Sequence, residues 1–331
     1  MSLGEGSTLG GRYRLLSQIG RGGMGTVWHA HDELLDREVA AKAMILPSDF
    51  TPAEYDEVNQ RTLKEARLAG RLSHPAIVKI YDVVEEEGRP WIVMELIHAP
   101  SLRDLIDENG PLEPLLVAKI GLQVANGLLV AHEAGILHRD VKPGNVLVDE
   151  SRSVRAVLTD FGIARAHSDA TTLNSDVLTG SAAYMAPERV GGQLAAAASD
   201  LWSLGATLYE AAEGRPAFNK PEAVASLVAV LNDDPAPIEK AGPLQPVIDG
   251  LLCKNPDERL TAAEVVAMLE QVTNDPSVTP AELSELLESS APVAAEPSVK
   301  SPRRRPTLRS ALLVATVVAV IADLIIFTIV R

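Results

Sequence analysis

The sequence predicts an α+β protein of two lobes, in which a small lobe with an antiparallel sheet and one helix precedes a larger helical lobe. Before Ser101, strand-like runs alternate with turn residues, and one well-capped helix interrupts them. After Ser101, apolar residues recur mainly at helical spacing, most clearly in "VAKIGLQVANGLLVAHEAG" and "SDLWSLGATLYEAAEG". With 331 residues, 46% of them hydrophobic, the chain can bury a core in each lobe. We expect the ligand site in the cleft between them.

The strands of the small lobe follow one another in order. "RYRLLSQIG" and "GTVWHAHD" flank a glycine cluster, and "REVAAKAM" is a third strand. "AIVKIYDVVEEEGRPWIVMEL" predicts a hairpin with its turn at residues 86–90.

The helix between the third strand and this hairpin has a clear start signal. Thr51 is a typical N-cap, Pro52 suits the first helical position, and Glu54 completes a capping box. His74 and Pro75 are expected to end the helix.

Charge and cysteine content exclude several classes of protein. The formal net charge of -15 argues against a general nucleic-acid binder, because phosphate backbones attract basic surfaces. The single cysteine, Cys253, excludes an internal disulfide framework and a cysteine-rich metal site, and it fits a reducing cytosol.

The two ends of the chain differ from the folded part. Residues 1–10 form a tail without the features of a signal peptide. Residues 272–310 are rich in Pro, Ser, Ala and Glu and predict a linker, with a short helix at "PAELSELLES". Residues 311–330 are apolar enough to span a bilayer, and the basic "KSPRRRPTLR" precedes them. We expect a single-pass membrane protein with its folded part in the cytoplasm, no outside domain, and one unusual carboxylate, Asp323, within the span.

The glycine cluster "GRGGMGTV" places Gly20, Gly22 and Gly25 at GxGxxG spacing. This spacing lets backbone amides approach phosphate oxygens, and taken alone it is also typical of a tight turn. A dinucleotide fold requires a helix directly after the glycines, whereas this chain continues as a strand. The pattern favours a glycine hairpin that covers phosphates.

Lys42 lies among apolar residues on the third strand and would need an anionic partner if it faces the cleft. Glu65 on the predicted helix can supply that partner. It shares a helix face, expected to turn toward the sheet, with Leu68, Ala69 and Leu72. Without the other motifs, Lys42 and Glu65 could equally be solvated surface charges.

The segment "ILHRDVKPGNVLV" sets polar residues between apolar flanks, and "LTDFGIAR" follows with another acid at the end of a strand. Asn145 and Asp160 carry oxygen atoms of the kind that Mg²⁺ prefers. Asp140 could orient an attacking hydroxyl and accept its proton, and Lys142 could approach a transferring phosphoryl group. One loop would thus serve nucleophile, phosphate and metal.

These motifs resemble those of eukaryotic-like serine/threonine protein kinases of the membrane-anchored bacterial type, from about Gly11 to Glu270. The resemblance implies the bilobal protein kinase fold, with an N-lobe over 11–97 and a C-lobe over 98–271. It also implies that Asp140 is the catalytic base with Lys142 beside it, and that Asn145 and Asp160 bind Mg²⁺, with Mn²⁺ as an alternative.

The resemblance further implies an ATP site at the lobe interface. Val27 and Ala40 would sandwich adenine, Met94 would be the gatekeeper, and the backbone from Glu95 to Ile97 would form the hinge. Lys42 would hold the α and β phosphates and pair with Glu65. The phosphate-covering loop would comprise Ile19, Gly20, Arg21, Gly22, Gly23, Met24 and Gly25.

Other residues match structural positions of the same family. Glu188 and Arg259 match a buried ion pair, and Asp200 matches an acid that holds the catalytic loop. Lys142 matches the serine/threonine branch. Ser181 replaces the usual threonine and keeps its hydroxyl.

The family's activation segment corresponds to the stretch between Asp160 and Glu188. It contains Ser168, Thr171, Thr172, Ser175 and Thr179. We expect autophosphorylation there, in trans within a homodimer, with the phosphate docked on Arg139. The expected partners are ATP, proteins that present serine or threonine, and the lipid bilayer. A catalytically silent nucleotide-binding scaffold is the alternative, although Lys42, Asp140, Asn145 and Asp160 are all present.

Overall fold

The computed structural model describes residues 4–22, 25–44, 51–161, 181–218, 220 and 222–275, together with residues 277, 279, 282 and 283. Within these ranges a sheet and one helix come first and a mainly helical region follows, which confirms the predicted two-lobed α+β architecture. The predicted membrane span and most of the predicted linker lie outside the described residues.

The small lobe is built on a six-stranded sheet in the order β1-β2-β3-β4-β6-β5, and all of its neighbouring strands are antiparallel. The predicted strands and hairpin are present. The turn between β5 and β6 has positive φ at both Glu87 (50°) and Gly88 (72°), as a tight hairpin turn requires. The strands are β1 (Thr8–Leu9), β2 (Tyr13–Gly22), β3 (Gly25–Asp32), β4 (Arg37–Met44), β5 (Ile80–Glu86) and β6 (Arg89–Met94).

Helix α1 (Pro52–Ala69) packs against β5 and β6. The Thr51 side chain accepts from the Glu54 amide and the Glu54 carboxylate accepts from the Thr51 amide, so the predicted capping box is confirmed. The prediction that the helix continues to His74 is wrong. Gly70 caps the helix, and its backbone N–H donates hydrogen bonds to carbonyls of the last turn.

The predicted sheet-facing side of α1 also needs one correction. Ala69 and Leu72 are buried as expected, but Leu68 is 38% exposed. Ala66, with no exposed surface, occupies the buried face instead. Since helical residues advance by about 100° each, the buried stripe is displaced from the one predicted.

The large lobe is organised around two apolar helices, α3 (Pro114–Glu133) and α5 (Ala197–Glu213). Both contribute fully buried side chains to one hydrophobic core, and Trp202 of α5 stacks on Phe218. A short hairpin, β7 (Val146–Asp149) and β8 (Arg155–Leu158), lies beside α3, with Asn145 directly before β7 and Asp160 two residues after β8. The other helices are α2 (Leu102–Asn109), α4 (Pro187–Val190), α6 (Ala223–Asn232), α7 (Gln245–Leu251) and α8 (Ala262–Asn274).

The packed region extends past residue 271, where the sequence analysis ends the large lobe. Helix α8 reaches Asn274, and Leu283 is fully buried in the same hydrophobic core. The Thr279 hydroxyl and amide both donate to the carboxylate of Glu282, the residue before Leu283.

Candidate active site

The glycine hairpin is formed by the end of β2 and the start of β3, where Gly22 pairs with Gly25. Gly25 has a φ of 152°, and a Cβ there would lie 2.1 Å from the Ala43 carbonyl oxygen, so only glycine fits. A Cβ on Gly22 would meet no atom within 4 Å among the described residues. An open backbone strip of this kind can accommodate phosphate oxygens. Gly23 and Met24 lie outside the described residues.

The predicted adenine-binding side chains lie together. Ala40 and Met94 are paired across β4 and β6 and belong to one small apolar cluster, against which Val27 and Ile97 pack. The Glu95 amide donates to the Lys79 carbonyl at 2.8 Å, which holds the start of the predicted hinge beside the segment before β5. Of the other hairpin residues predicted for this site, Ile19 and Arg21 are exposed and Gly20 is half-buried.

The sequence analysis missed two members of this cluster, namely Val78 and Val157. Val157 lies on the strand that leads to Asp160, and strand periodicity could have indicated its inward direction. Val78 precedes β5 in an irregular segment and has no comparable signal.

Lys42 is buried and its Nζ lies 2.7 Å from Asp160 Oδ1. Glu65 instead lies 3.3 Å from Arg139 Nη1. The expected Lys42–Glu65 pair is therefore not formed in the described part of the chain. Two carboxylates compete for one ammonium group, and Asp160 holds it while the nearby guanidinium of Arg139 holds Glu65. The second oxygen of Glu65 is buried without a hydrogen-bond partner among the described residues.

The catalytic loop is bonded to the start of α5 through Asp200. The Asp200 carboxylate accepts from the backbone amides of His138 (2.8 Å) and Arg139 (2.6 Å). It also lies 2.9 Å from His132 Nε2. Arg139 has a φ of 65°, an unfavourable conformation for a residue with a side chain, and these bonds hold it there. Asp200 thus takes the structural position that the resemblance implied.

His138 lies between the catalytic loop and the segment that carries Asp160. Its Nε2 lies 2.8 Å from the Thr159 carbonyl, and its Nδ1 accepts from the Asp140 amide at 3.2 Å. Burial lowers the pKa of His138, so the ring is neutral, with the proton on Nε2. The ring also packs on Phe161, 4.6 Å between centroids. Sequence reasoning did not assign His138 or Thr159 a role.

Asp140 is 4% exposed and lies among groups that orient its carboxylate. Asn145 Nδ2 donates to Asp140 Oδ2 at 3.0 Å and to the Asp140 carbonyl at 2.7 Å. Lys142 Nζ lies 2.8 Å from the same Oδ2 and 3.1 Å from Ser181 Oγ. The structure therefore brings the base candidate, the lysine and the serine hydroxyl into one continuous arrangement.

The residues predicted to bind a cation fit that task chemically. The Asn145 amide nitrogen is engaged by Asp140, which leaves its oxygen for a ligand, and Asp160 offers a carboxylate. Oxygen ligands of this type suit Mg²⁺ and similar hard cations. Two protein ligands do not complete a coordination sphere, so phosphate oxygens would have to supply further ligands.

A small cavity of about 20 Å³ borders Asp140. Residues of the catalytic loop and of the segment around the "YMAPE" motif line it, among them Arg139, Asp140, Ser181, Tyr184 and Met185.

Glu188 and Arg259 form the buried pair that the resemblance implied. Arg259 Nη1 and Nη2 donate to the two Glu188 oxygens at 2.9 and 3.0 Å. Ser199 Oγ donates to the same carboxylate at 2.7 Å. This cluster connects α4, α5 and the loop before α8, next to the cavity described above.

Comparison with known proteins agrees with this geometry. The family model described as protein kinase domain matches residues 13–269. A probable serine/threonine-protein kinase of Corynebacterium efficiens is 39% identical over 280 residues, which are 80% of this chain and 42% of the relative. The serine/threonine-protein kinase PrkC of Bacillus subtilis is 38% identical over 264 residues, or 78% of this chain and 40% of the relative.

The serine/threonine-protein kinase PknB of Mycobacterium tuberculosis is 35% identical over 319 residues, which are 92% of this chain and 50% of the relative. The chain thus spans 40% to 50% of the length of these curated relatives. Its family match covers both lobes and every site residue described above. This chain belongs to the protein kinase family, among sequences related to bacterial serine/threonine-protein kinases.

Proposed function

We propose that this protein transfers the γ-phosphoryl group of ATP to serine and threonine hydroxyls of proteins. The observation that carries the proposal is the setting of Asp140, whose Oδ2 lies 2.8 Å from Lys142 Nζ and 3.0 Å from Asn145 Nδ2, beside a small cavity. A carboxylate held in this way can accept a proton from a hydroxyl placed next to it.

The reaction follows from these positions. The acceptor oxygen attacks the γ-phosphorus while its proton passes to Asp140, and the bond from that phosphorus to the β–γ bridging oxygen breaks to release ADP. Lys142 lies beside Asp140 and offsets negative charge on the transferring group. Lys42 would leave Asp160 to bind the α and β phosphates. Mg²⁺, or Mn²⁺ in its place, would be held by Asn145 and Asp160 and would neutralise phosphate charge.

The test compares Asp140→Asn with wild type in transfer of labelled phosphate from ATP and Mg²⁺ to protein. Transfer should fall by about 10² to 10⁴, the usual contribution of a positioned base, while ATP binding persists. Asp149→Asn, a change of the same type at a carboxylate that bonds the Ser151 amide, should leave activity intact. If Asp140→Asn keeps more than about a tenth of the activity, Asp140 is not the base. Wild-type protein that binds ATP without transferring phosphate would instead be the silent scaffold.

We further propose activation by autophosphorylation, with Thr171 and Thr172 as the first candidate sites; both lie outside the described residues. Glu65 forms an ion pair with Arg139 in this structure. A phosphate bound to Arg139 would compete with the Glu65 carboxylate for the guanidinium group. Glu65 would then be released toward Lys42. Mass spectrometry of the active protein should find phosphate between residues 168 and 179, and its absence there would refute the proposal. Mixing active protein with Asp140→Asn protein tests whether transfer occurs between two copies.

We also propose that residues 311–330 anchor the protein in the cell membrane, with its kinase domain in the cytoplasm. Thirteen Leu, Ile, Val and Phe residues in this segment, at about -0.3 to -0.6 kcal/mol each, give about -4 to -8 kcal/mol, against a cost of about 2.5 to 3.5 kcal/mol for Asp323. The arginines before the segment favour a cytoplasmic N-terminal side. Release of the full-length protein by carbonate extraction would refute the anchor.

Within the described residues, one helix, α3 (Pro114–Glu133), is also long and apolar enough to cross a membrane. Its buried face belongs to the large-lobe core, so α3 is a core helix and lends no support to the anchor. Asp323 would either be a tolerated charge, as the energies above allow, or contribute to helix pairing through a shared proton or a basic partner. An Asp323→Leu variant with unchanged self-association in detergent would exclude the pairing role.

A further inference from the structure

Three histidines and one glutamate lie together where the β3–β4 hairpin meets the chain that leaves the predicted hinge. In "HAHD", His29 and His31 are two residues apart on β3, so their side chains leave the same face of the sheet. Glu38 on β4 is the cross-strand partner of His31 and therefore belongs to that face too. His98, directly after Ile97, approaches Glu38 from outside the sheet.

The Glu38 carboxylate lies between two of these imidazoles. Its Oε1 is 2.9 Å from His29 Nε2, and its Oε2 is 3.7 Å from His98 Nε2. The two rings meet edge to face, with their centroids 6.5 Å apart. Both imidazoles thus turn the same nitrogen, Nε2, toward one carboxylate.

Two imidazole nitrogens and one carboxylate are a donor set that Zn²⁺ binds in proteins. Nitrogen donors also distinguish Zn²⁺ and similar transition-metal ions from Mg²⁺, which prefers a shell of oxygen atoms. The set differs in this respect from Asn145 and Asp160, which offer oxygen atoms only.

The spacing of the donors is close to that of a metal site but not complete. Two ligands of one tetrahedral Zn²⁺ ion lie about 3.3 Å apart, and both histidine–Glu38 distances are within about 0.4 Å of this value. Among the described residues, no three such donors are already spaced for an ion. One ion would bring the two ring centroids to about 5 Å, nearer than they are now. The His98 side chain is 72% exposed and so is free to make this movement.

We propose that His29, Glu38 and His98 form a site for Zn²⁺ or a similar divalent transition-metal ion, with water as the fourth ligand. Binding draws His98 toward the β3–β4 hairpin. Each of the two strands also carries an adenine candidate, Val27 or Ala40, two residues from its metal ligand. The ion therefore joins the sheet that carries these residues to the chain that leaves the hinge.

His31 provides a matched control within the same strand. It shares its residue type and its face of the sheet with His29, but its Nε2 lies 3.2 Å from Asp36 Oδ1 at the tip of the hairpin. The proposed site does not use it.

The experiment titrates the full chain in detergent with Zn²⁺ by calorimetry, without nucleotide or Mg²⁺. His29→Gln and His98→Gln should each weaken Zn²⁺ binding by at least about 10- to 100-fold, since loss of even an outer-shell partner of a metal ligand costs that much. His31→Gln should match wild type. None of the three histidines is buried, and thermal melting without metal verifies that each variant is folded.

Hydrogen exchange tests the link between the two segments. In wild type, Zn²⁺ should slow amide exchange both in the β3–β4 hairpin and around His98, because segments held by one ion open less often. In His98→Gln the slowing around residue 98 should be lost.

Three outcomes would overturn the proposal. Zn²⁺ binding of equal strength in wild type, His29→Gln and His98→Gln would be adventitious. A loss in His31→Gln as large as that in His29→Gln would place the ion on the two β3 histidines instead. Tight binding with unchanged exchange around His98 would refute the link to the hinge. Because neither measurement uses ATP, the result is independent of the proposed function.

Discussion

Replacing Arg259 by methionine should lower the free energy of unfolding by about 3 to 5 kcal/mol, the usual cost of removing one partner of a buried ion pair. The Arg259 side chain has no exposed surface and donates to both oxygens of Glu188 at 2.9 and 3.0 Å. It also donates to the carbonyls of Ala198 (2.6 Å) and Cys253 (2.9 Å). Methionine would fill much of the space but leave the buried carboxylate with Ser199 as its remaining described donor.

Urea unfolding and thermal melting measure this loss. For a domain of this size, 1 kcal/mol shifts the Tm by about 2 to 4 °C, so the Tm should fall by about 6 to 20 °C. The matched control is Arg14→Met, because Arg14 pairs with Glu33 at 2.9 Å while both side chains are about half exposed. That variant should lose only about 0.2 to 1 kcal/mol. A loss below about 1 kcal/mol in Arg259→Met would refute the reasoning.

The pH dependence of the same pair has a definite sign. Burial alone would raise the pKa of Glu188, but hydrogen bonds from Arg259 and Ser199 outweigh it and hold the pKa below its ordinary value of 4.5. A carboxyl whose folded pKa is depressed stabilises the protein above its unfolded pKa and loses that effect as the pH falls through the folded pKa. In Arg259→Met the pKa-raising effect of burial loses its main opponent, so the stability difference between wild type and variant should begin to shrink above pH 4.5 and should continue to shrink as the pH falls through the depressed pKa of the wild-type carboxyl.

Three further predictions test the site. Lys42→Met should lower ATP affinity at least about tenfold in calorimetric titration, since a charged hydrogen bond of this kind contributes about 1.5 to 3 kcal/mol. Gly25→Ala should destabilise the protein by about 1 to 3 kcal/mol in urea, because its φ and the Ala43 carbonyl exclude a Cβ; Gly22→Ala, where the Cβ meets open space, should lose less. Asp200→Asn should lower kcat by about 10- to 100-fold with ATP affinity unchanged, since an amide with a single oxygen cannot accept all three contacts of the carboxylate. Equal ATP affinity in Lys42→Met, equal stability of the two glycine variants, or an unchanged kcat in Asp200→Asn would contradict the respective assignment.

Local chemistry explains why much of the fold was predictable. The capping box at Thr51 and Glu54 is written within a few residues, and so are the strand alternation and the hairpin turn. The candidate site could be predicted for a similar reason, because Asp140, Lys142 and Asn145 lie in one short loop. Each of these features depends on residues that are neighbours in the sequence.

Features that depend on competition between distant groups were not predictable. Glu65 pairs with Arg139, although the sequence analysis paired it with Lys42. Which of the two cations Glu65 contacts depends on the position of α1 relative to them, and local sequence does not determine that position. The Tyr184 hydroxyl bonds to Arg103, which lies 81 positions earlier in the chain, and to Glu210, which lies 26 positions later. No sequence periodicity connects these three residues. The burial of Leu283 likewise depends on tertiary contacts with the large-lobe core.

The attachment of two separate segments to helix α5 has a consequence for successive turnovers. Asp200 near its start holds the catalytic loop, and Ser203 and Glu210 hold the turn after Ser181. The loop that carries Asp140 and the turn after Ser181 therefore share one support, whereas Lys42 and the glycine hairpin belong to the sheet of the other lobe. Under the proposed function, separation of the lobes would release the nucleotide while both of these segments keep their positions on α5, so exchange of ADP for ATP would not require the Asp140 side of the site to reassemble.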